Sequence, residues 1–193
     1  MWTHGVAIRP VPAHAVIDEH TIDLVRDGFS GDDDDAQKRL DDAFARFEAT
    51  QPELAARLSD ALEERLDETA LALGYFLGIA IWLSFEQQFG QRLRRVDATG
   101  VKAVQDALDL EAQLRADRPG EPLDVEDVIA REQPALMAFV NEHVETALDG
   151  GGRTIDVDDV YNMYRTMLVE LLCLSHAVAP HPGAKTRSSE VLA

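Results

Sequence analysis

Seventeen consecutive residues, Thr69 to Phe85 ("TALALGYFLGIAIWLSF"), carry no charge. Such a run either crosses a membrane or forms the centre of a helical core. Its length sits at the lower limit of the roughly 17–25 residues that a span needs. Glu68 and Glu86 bracket it directly, and no tryptophan or tyrosine belt marks both ends. Ala70, Gly74 and Gly78 form a small-xxx-small ridge, a face that lets a second helix approach closely. Length and flanks favour the core. The stretch is expected to be a buried helix, with no membrane association.

Proline and glycine divide the rest into helical segments. Residues 1–13, with Pro10 and Pro12, read as an extended arm, and His14–Phe29 as a short amphipathic helix through Val16, Ile17, Leu24 and Val25. After "SGDDDD", a helix should bury Leu40, Ala43, Phe44 and Phe47. Pro52 suits a first helical position, capped by Thr50 or Gln51, and Leu54, Leu58, Leu62 and Leu66 make one apolar stripe. Residues 52–89 can form one helix, or two with a break near Glu68. Arg92–Arg95 ("RLRR") sit where they complement a helix C-terminus. Gly100 reads as a break, "RPGEP" and "GGGR" as loops, and the last long helix covers 154–178. No β-branched run has period two. The expected fold is all-α: one helical bundle of six to eight helices over residues 14–179, with 180–193 as a polar tail.

Two segments match without a gap. "QPELAARLSDALEERLD" (51–67) lies over "QPALMAFVNEHVETALD" (133–149), sharing Gln, Pro, Leu, Ala, Glu, Leu and Asp. Each follows an acidic helical segment and precedes an apolar helix ending in Leu-Ser, at Leu83-Ser84 and Leu174-Ser175. Leucine every four residues arises from amphipathic periodicity alone, but the identical starts and the order of elements favour duplication. The implied units are about 33–95 and 122–179, arranged around two central apolar helices. The second of these carries Arg165, Glu170 and His176 and is too polar to span a membrane.

Charge limits the partners. Eighteen basic against 36 acidic residues give a formal net charge of −18, which repels phosphate backbones and anionic membrane surfaces. Acids outnumber bases 17 to 7 over residues 1–68 and 13 to 5 over 120–193, while 69–119 carries six of each. Cys173 is the single cysteine, so no intrachain disulfide forms, and the first twenty residues lack signal-peptide character. A cytoplasmic location is expected.

No motif names a reaction. Glu-x-x-His pairs of the di-metal bundles are missing, as are the P-loop, GxGxxG, GxSxG and HExxH patterns. The acidic run at 30–35 lacks the ligand order of an EF-hand loop. The nearest metal constellation is Glu170, Cys173 and His176, spaced by three in "ELLCLSH", with Glu86, Glu142 and His143 as further donors. Against it, Cys173 lies between leucines as a small core residue would, and as a nucleophile it would need exposure and a nearby base. No cofactor is expected. Two functions remain. One is a non-enzymatic interaction or regulatory module acting on a protein partner or on itself as a homodimer, through apolar surface left exposed along 69–89. The other is a metal-dependent enzyme or small-ligand binder with a site between the two apolar helices. Tyr75, Glu86, Tyr161, Tyr164, Glu170 and His176 would line that site.

Overall fold

In the computed structural model, residues 8–30, 33–63, 68–116, 125–149 and 157–181 are described. They form eight α-helices with no strand among them: α1 (Glu19–Gly28), α2 (Asp33–Thr50), α3 (Pro52–Glu63), α4 (Glu68–Phe89), α5 (Ala98–Ala116), α6 (Val125–Glu132), α7 (Pro134–Asp149) and α8 (Val157–Ala177). The all-α bundle is as expected. Residues 1–7, Leu66, "RPGEP", "GGGR" and the tail from 182 lie outside the described residues.

The uncharged stretch becomes α4, the one described helix long and apolar enough to cross a membrane by length and composition. Here α1, α2, α3, α7 and α8 pack around it. From Leu77 to Trp82 every residue is buried, and α8 is its principal partner. The small-residue ridge explains the closeness. A Cβ on Gly74 would enter the Met163 side chain of α8, and one on Gly78 would lie 2.5 Å from Cδ2 of Leu58 on α3 and 3.4 Å from Oε2 of Glu170 on α8. So α3 folds back onto α4, and residues 52–89 hold two helices whose connection lies outside the described residues.

Three local readings change. Val16 and Ile17 are extended rather than helical, because Asp18 caps α1 by accepting a hydrogen bond from the Thr21 N–H at 2.8 Å. Gly100 does not break a helix. It sits in the first turn of α5, where its N–H donates to the Asp97 carboxylate at 2.7 Å. Nor does Gln51 cap α3 with its side chain: the side chain leaves its own helix and holds another segment.

That last contact occurs twice. Gln51, 2% exposed, donates from Nε2 to the Arg94 carbonyl at 3.0 Å and accepts the Val96 N–H at Oε1 at 2.8 Å. Gln133, 0% exposed, donates to the Ala15 carbonyl at 2.7 Å and accepts the Ile17 N–H at 2.9 Å. Each glutamine thus satisfies a carbonyl and the N–H two residues on in an extended segment, and each held segment leads into an Asp-capped helix, α1 or α5. A buried amide with this many partners stabilises rather than costs. The two glutamines are those of the matched "QP" pairs. Around them the segment after α4 is tied to the segment that ends α8: Arg94 N–H donates to the Ala177 carbonyl at 3.1 Å, and Ala179 N–H to that of Arg92 at 2.8 Å.

Candidate functional site

The six residues proposed from sequence fall in four places. On the α2 side of α4, the Tyr75 hydroxyl donates to Asp41 at 3.3 Å with its ring 5.4 Å from Phe44. Burial, then the Asp41 charge, pushes its pKa up to about 12. Further along, Glu86 pairs with Arg46 at 3.4 Å, and Arg46 lies over the Trp82 ring. Both groups serve to dock α2 on α4.

Glu170 lies elsewhere, in the core where α8 meets α4. It is 3% exposed, Oε1 has no hydrogen-bond partner, and burial raises its pKa well above the ordinary carboxyl value. Cys173 is one turn on, with Sγ 4.0 Å from the Gly100 carbonyl. Burial and the Glu170 charge push the thiol up to about 12. A thiol so raised is neither nucleophile nor ready metal ligand at neutral pH.

His176 closes α8 beside Arg9, and burial and the Arg9 charge lower its pKa. It helps to line an apolar hollow of about 210 Å³ with Leu172, Val104 and Ile8. His143 stacks between Phe76 and Phe139, its Nδ1 2.8 Å from the Phe139 carbonyl oxygen, while Glu142 pairs with Arg26 at 2.7 Å. Among the described residues no three of His, Cys, Asp and Glu gather where they could hold a metal ion. The set of Glu170, Cys173, His176 and His143 is therefore not assembled. Spacing by three places groups on one side of a helix, but it does not bring other helices to meet them.

Tyr161 and Tyr164 do share a site. Three surface hollows of about 610, 360 and 140 Å³ run into one another across α7, α6, α8 and α5. The first two share Asn141 and Glu145; the second and third share Glu126, Tyr161 and Tyr164. Together they make a trench whose floor includes Val144, Val160 and both tyrosines. Tyr161 is 55% exposed, and the Tyr164 hydroxyl donates to Oδ1 of Asn141 at 3.4 Å. Glu111, Glu126, Asp127, Glu142, Glu145 and Asp149 line the walls. Arg165, the one basic residue of the lining among the described residues, is ion-paired to Asp109.

Comparison with protein families, curated proteins and solved structures finds no match for this chain.

Apart from Glu142, named only as a metal donor, the trench carboxylates went unselected in the sequence because they read as ordinary solvated helix faces. What gathers them is the packing of α6 on α7 beside α8. No residue pattern announces that.

Proposed function

We propose that the chain is a non-enzymatic interaction or regulatory module that docks a protein partner in the trench between α5, α6, α7 and α8. The observation that carries this reading is an apolar floor with exposed Tyr161 enclosed by carboxylates of one sign. Apolar surface left open beside polar walls marks an interface. The exposed apolar residues of α4 are limited to its start, at Leu71 and Ala72, so the trench is the better docking surface. The net charge of −18 argues against nucleic acid and anionic lipid as partners, and a single cysteine fits a cytoplasmic protein. A second copy of the chain remains a partner to test, as a homodimer.

The alternative, a ligand or metal site between α4 and α8, draws less support, because Met163 and Leu58 already occupy the ridge where a ligand would lie. The paired glutamine contacts support an origin by duplication, with α1–α4 and α5–α8 as the two copies.

The test places a photo-crosslinking phenylalanine analogue at Tyr161 and, as control, at exposed Lys38 on α2. Irradiation in the producing cells should give a discrete crosslinked species from position 161 alone, and light scattering of the purified chain identifies a self-complex. Crosslinks equal at both positions, or absent from 161, remove the reading.

A further inference from the structure

We infer that the hollow between α5 and α8 binds a small amphipathic carboxylate, its apolar body of about six carbons against the walls and its carboxylate at Arg9. The hollow shares no lining residue with the trench, so the inference stands apart from the docking reading. Size limits the ligand. About 210 Å³ exceeds the roughly 150 Å³ cavity that takes up benzene, and falls short of the roughly 300 Å³ that drug-sized ligands need. Chemistry selects its head group. Ile8, Ala103, Val104, Ala107 and Leu172 supply apolar walls, and the ionisable groups of the lining are Arg9 and His176. No acid lines it among the described residues, in a chain with 36 acidic against 18 basic side chains. Arg9 is exposed, and among the described residues its guanidinium holds no ion pair. Burial, then the Arg9 charge, lowers the pKa of His176, which places both groups at one end of the hollow. Glu132 also acts on His176, but it accepts the Val11 N–H at 2.7 Å and is not part of the lining. A carboxylate therefore meets an unpaired cation beside a neutral imidazole, whereas an ammonium meets like charge.

The other half of the molecule shows the same place closed. The N–H groups of Thr21 and Gly100 each donate to a capping aspartate, Asp18 or Asp97, which sets α1 over α5. The Leu-Ser pairs set α4 over α8. Thr21, Val25, Ile81 and Phe85 then fall at Gly100, Val104, Leu172 and His176, and those last four all line the hollow. Where α1 packs on α4 the first four are buried, Phe85 completely. The second half sets glycine where the first has threonine and imidazole where it has a phenyl ring. The space opens there, with a polar group at its edge. Small-ligand sites combine apolar walls with a few polar groups that orient the ligand in this way.

The test is a titration of the full chain with hexanoate, hexan-1-ol and hexylamine, followed by methyl and amide NMR shifts. Hexanoate should bind with a Kd of about 1 mM or tighter and move the methyl resonances of Ile8, Val104 and Leu172. The alcohol should bind about threefold or more weakly than the acid, and the amine more weakly still. Two exposed positions separate head group from body. Arg9→Gln should bring hexanoate level with hexan-1-ol, while the remote Lys38→Gln leaves the acid preference unchanged. Ala103→Trp, at the exposed lip, should fill the hollow and weaken acid and alcohol alike by about tenfold or more, with circular dichroism and melting temperature as in the parent. No binding of hexanoate up to about 10 mM overturns the inference. So do an alcohol or amine that binds as tightly as the acid, an acid preference that survives Arg9→Gln, binding retained in Ala103→Trp, and shifts centred away from α5 and α8.

Discussion

Substitution of Gly78 tests the close-packed spine. An added Cβ would sit 2.5 Å from Cδ2 and 3.1 Å from Cδ1 of Leu58, a side chain that is only 1% exposed. Alanine at a mid-helix glycine returns about 1 kcal/mol of helix propensity. Forcing atoms into a filled core costs typically 1–3 kcal/mol, so Gly78→Ala should come out between neutral and about 2 kcal/mol destabilising. Gly78→Leu adds three further carbons against Leu58 and the Glu170 carboxyl, which moves the cost to the top of that range or past it. The net loss should be at least about 2 kcal/mol, or a melting temperature lower by about 4–8 °C for a chain of this size. Urea denaturation should show a lower midpoint at unchanged slope. The partner is named by a double-mutant cycle: Leu58→Ala combined with Gly78→Leu should cost less than the sum of the two, by about 0.5–3 kcal/mol. If Gly78→Leu is more stable than the parent, or the cycle is additive, Leu58 does not fill that contact.

The two glutamines predict matched losses. Gln51→Ala and Gln133→Ala each strand a buried carbonyl and N–H, at about 1–3 kcal/mol per group, so both should lower stability by similar amounts and speed amide exchange at Val96 or Ile17 respectively; loss from only one would break the equivalence. Glu170 predicts a pH dependence. Its folded-state pKa is raised, so the folded chain keeps a proton that the unfolded chain releases above about 4.5, and stability falls as pH rises from there toward the folded value. Glu170→Gln removes that penalty: thermal melts should coincide with the parent below this window and exceed it increasingly toward neutral pH, and a pH-independent difference would refute the sign. The Cys173 thiol, at about 12 against an ordinary 9.0, should react with a thiol-specific disulfide reagent roughly a thousandfold more slowly in the native chain than in urea; equal rates would place it at the surface.

Much of this fold is readable from periodicity. The uncharged run had to be buried, because its apolar residues face all directions, and it became α4. Ala43, Phe47, Leu54 and Leu58 fell on the inner faces as their spacing required. The failures are of another kind. Val16 and Ile17 carry a helical pattern, yet the Asp18 cap starts the helix after them, and Gln133 then uses the extended segment as a ligand. Leu24 fits the stripe but is exposed, while neighbouring Ile22 and Val25 are buried. Gly100 looked like punctuation because a glycine in a helical first turn and one in a loop read alike. The "QP" pairs were visible as repeats, but side-chain contacts reaching from one half of the chain to the other are tertiary facts. Of the site residues, Tyr161 and Tyr164 meet because they lie one turn apart on one helix. Glu86, Glu170 and His176 lie apart because different helices pack against each.

Amide chemical-shift mapping with the partner captured at position 161 tests the docking claim most directly. Saturating partner should shift resonances along α6, α7 around Asn141 and Glu145, and α8 around Tyr161–Arg165, leaving α1 and α2 unmoved. Shifts spread evenly over the acidic surface, or concentrated on α1 and α2, would contradict the account.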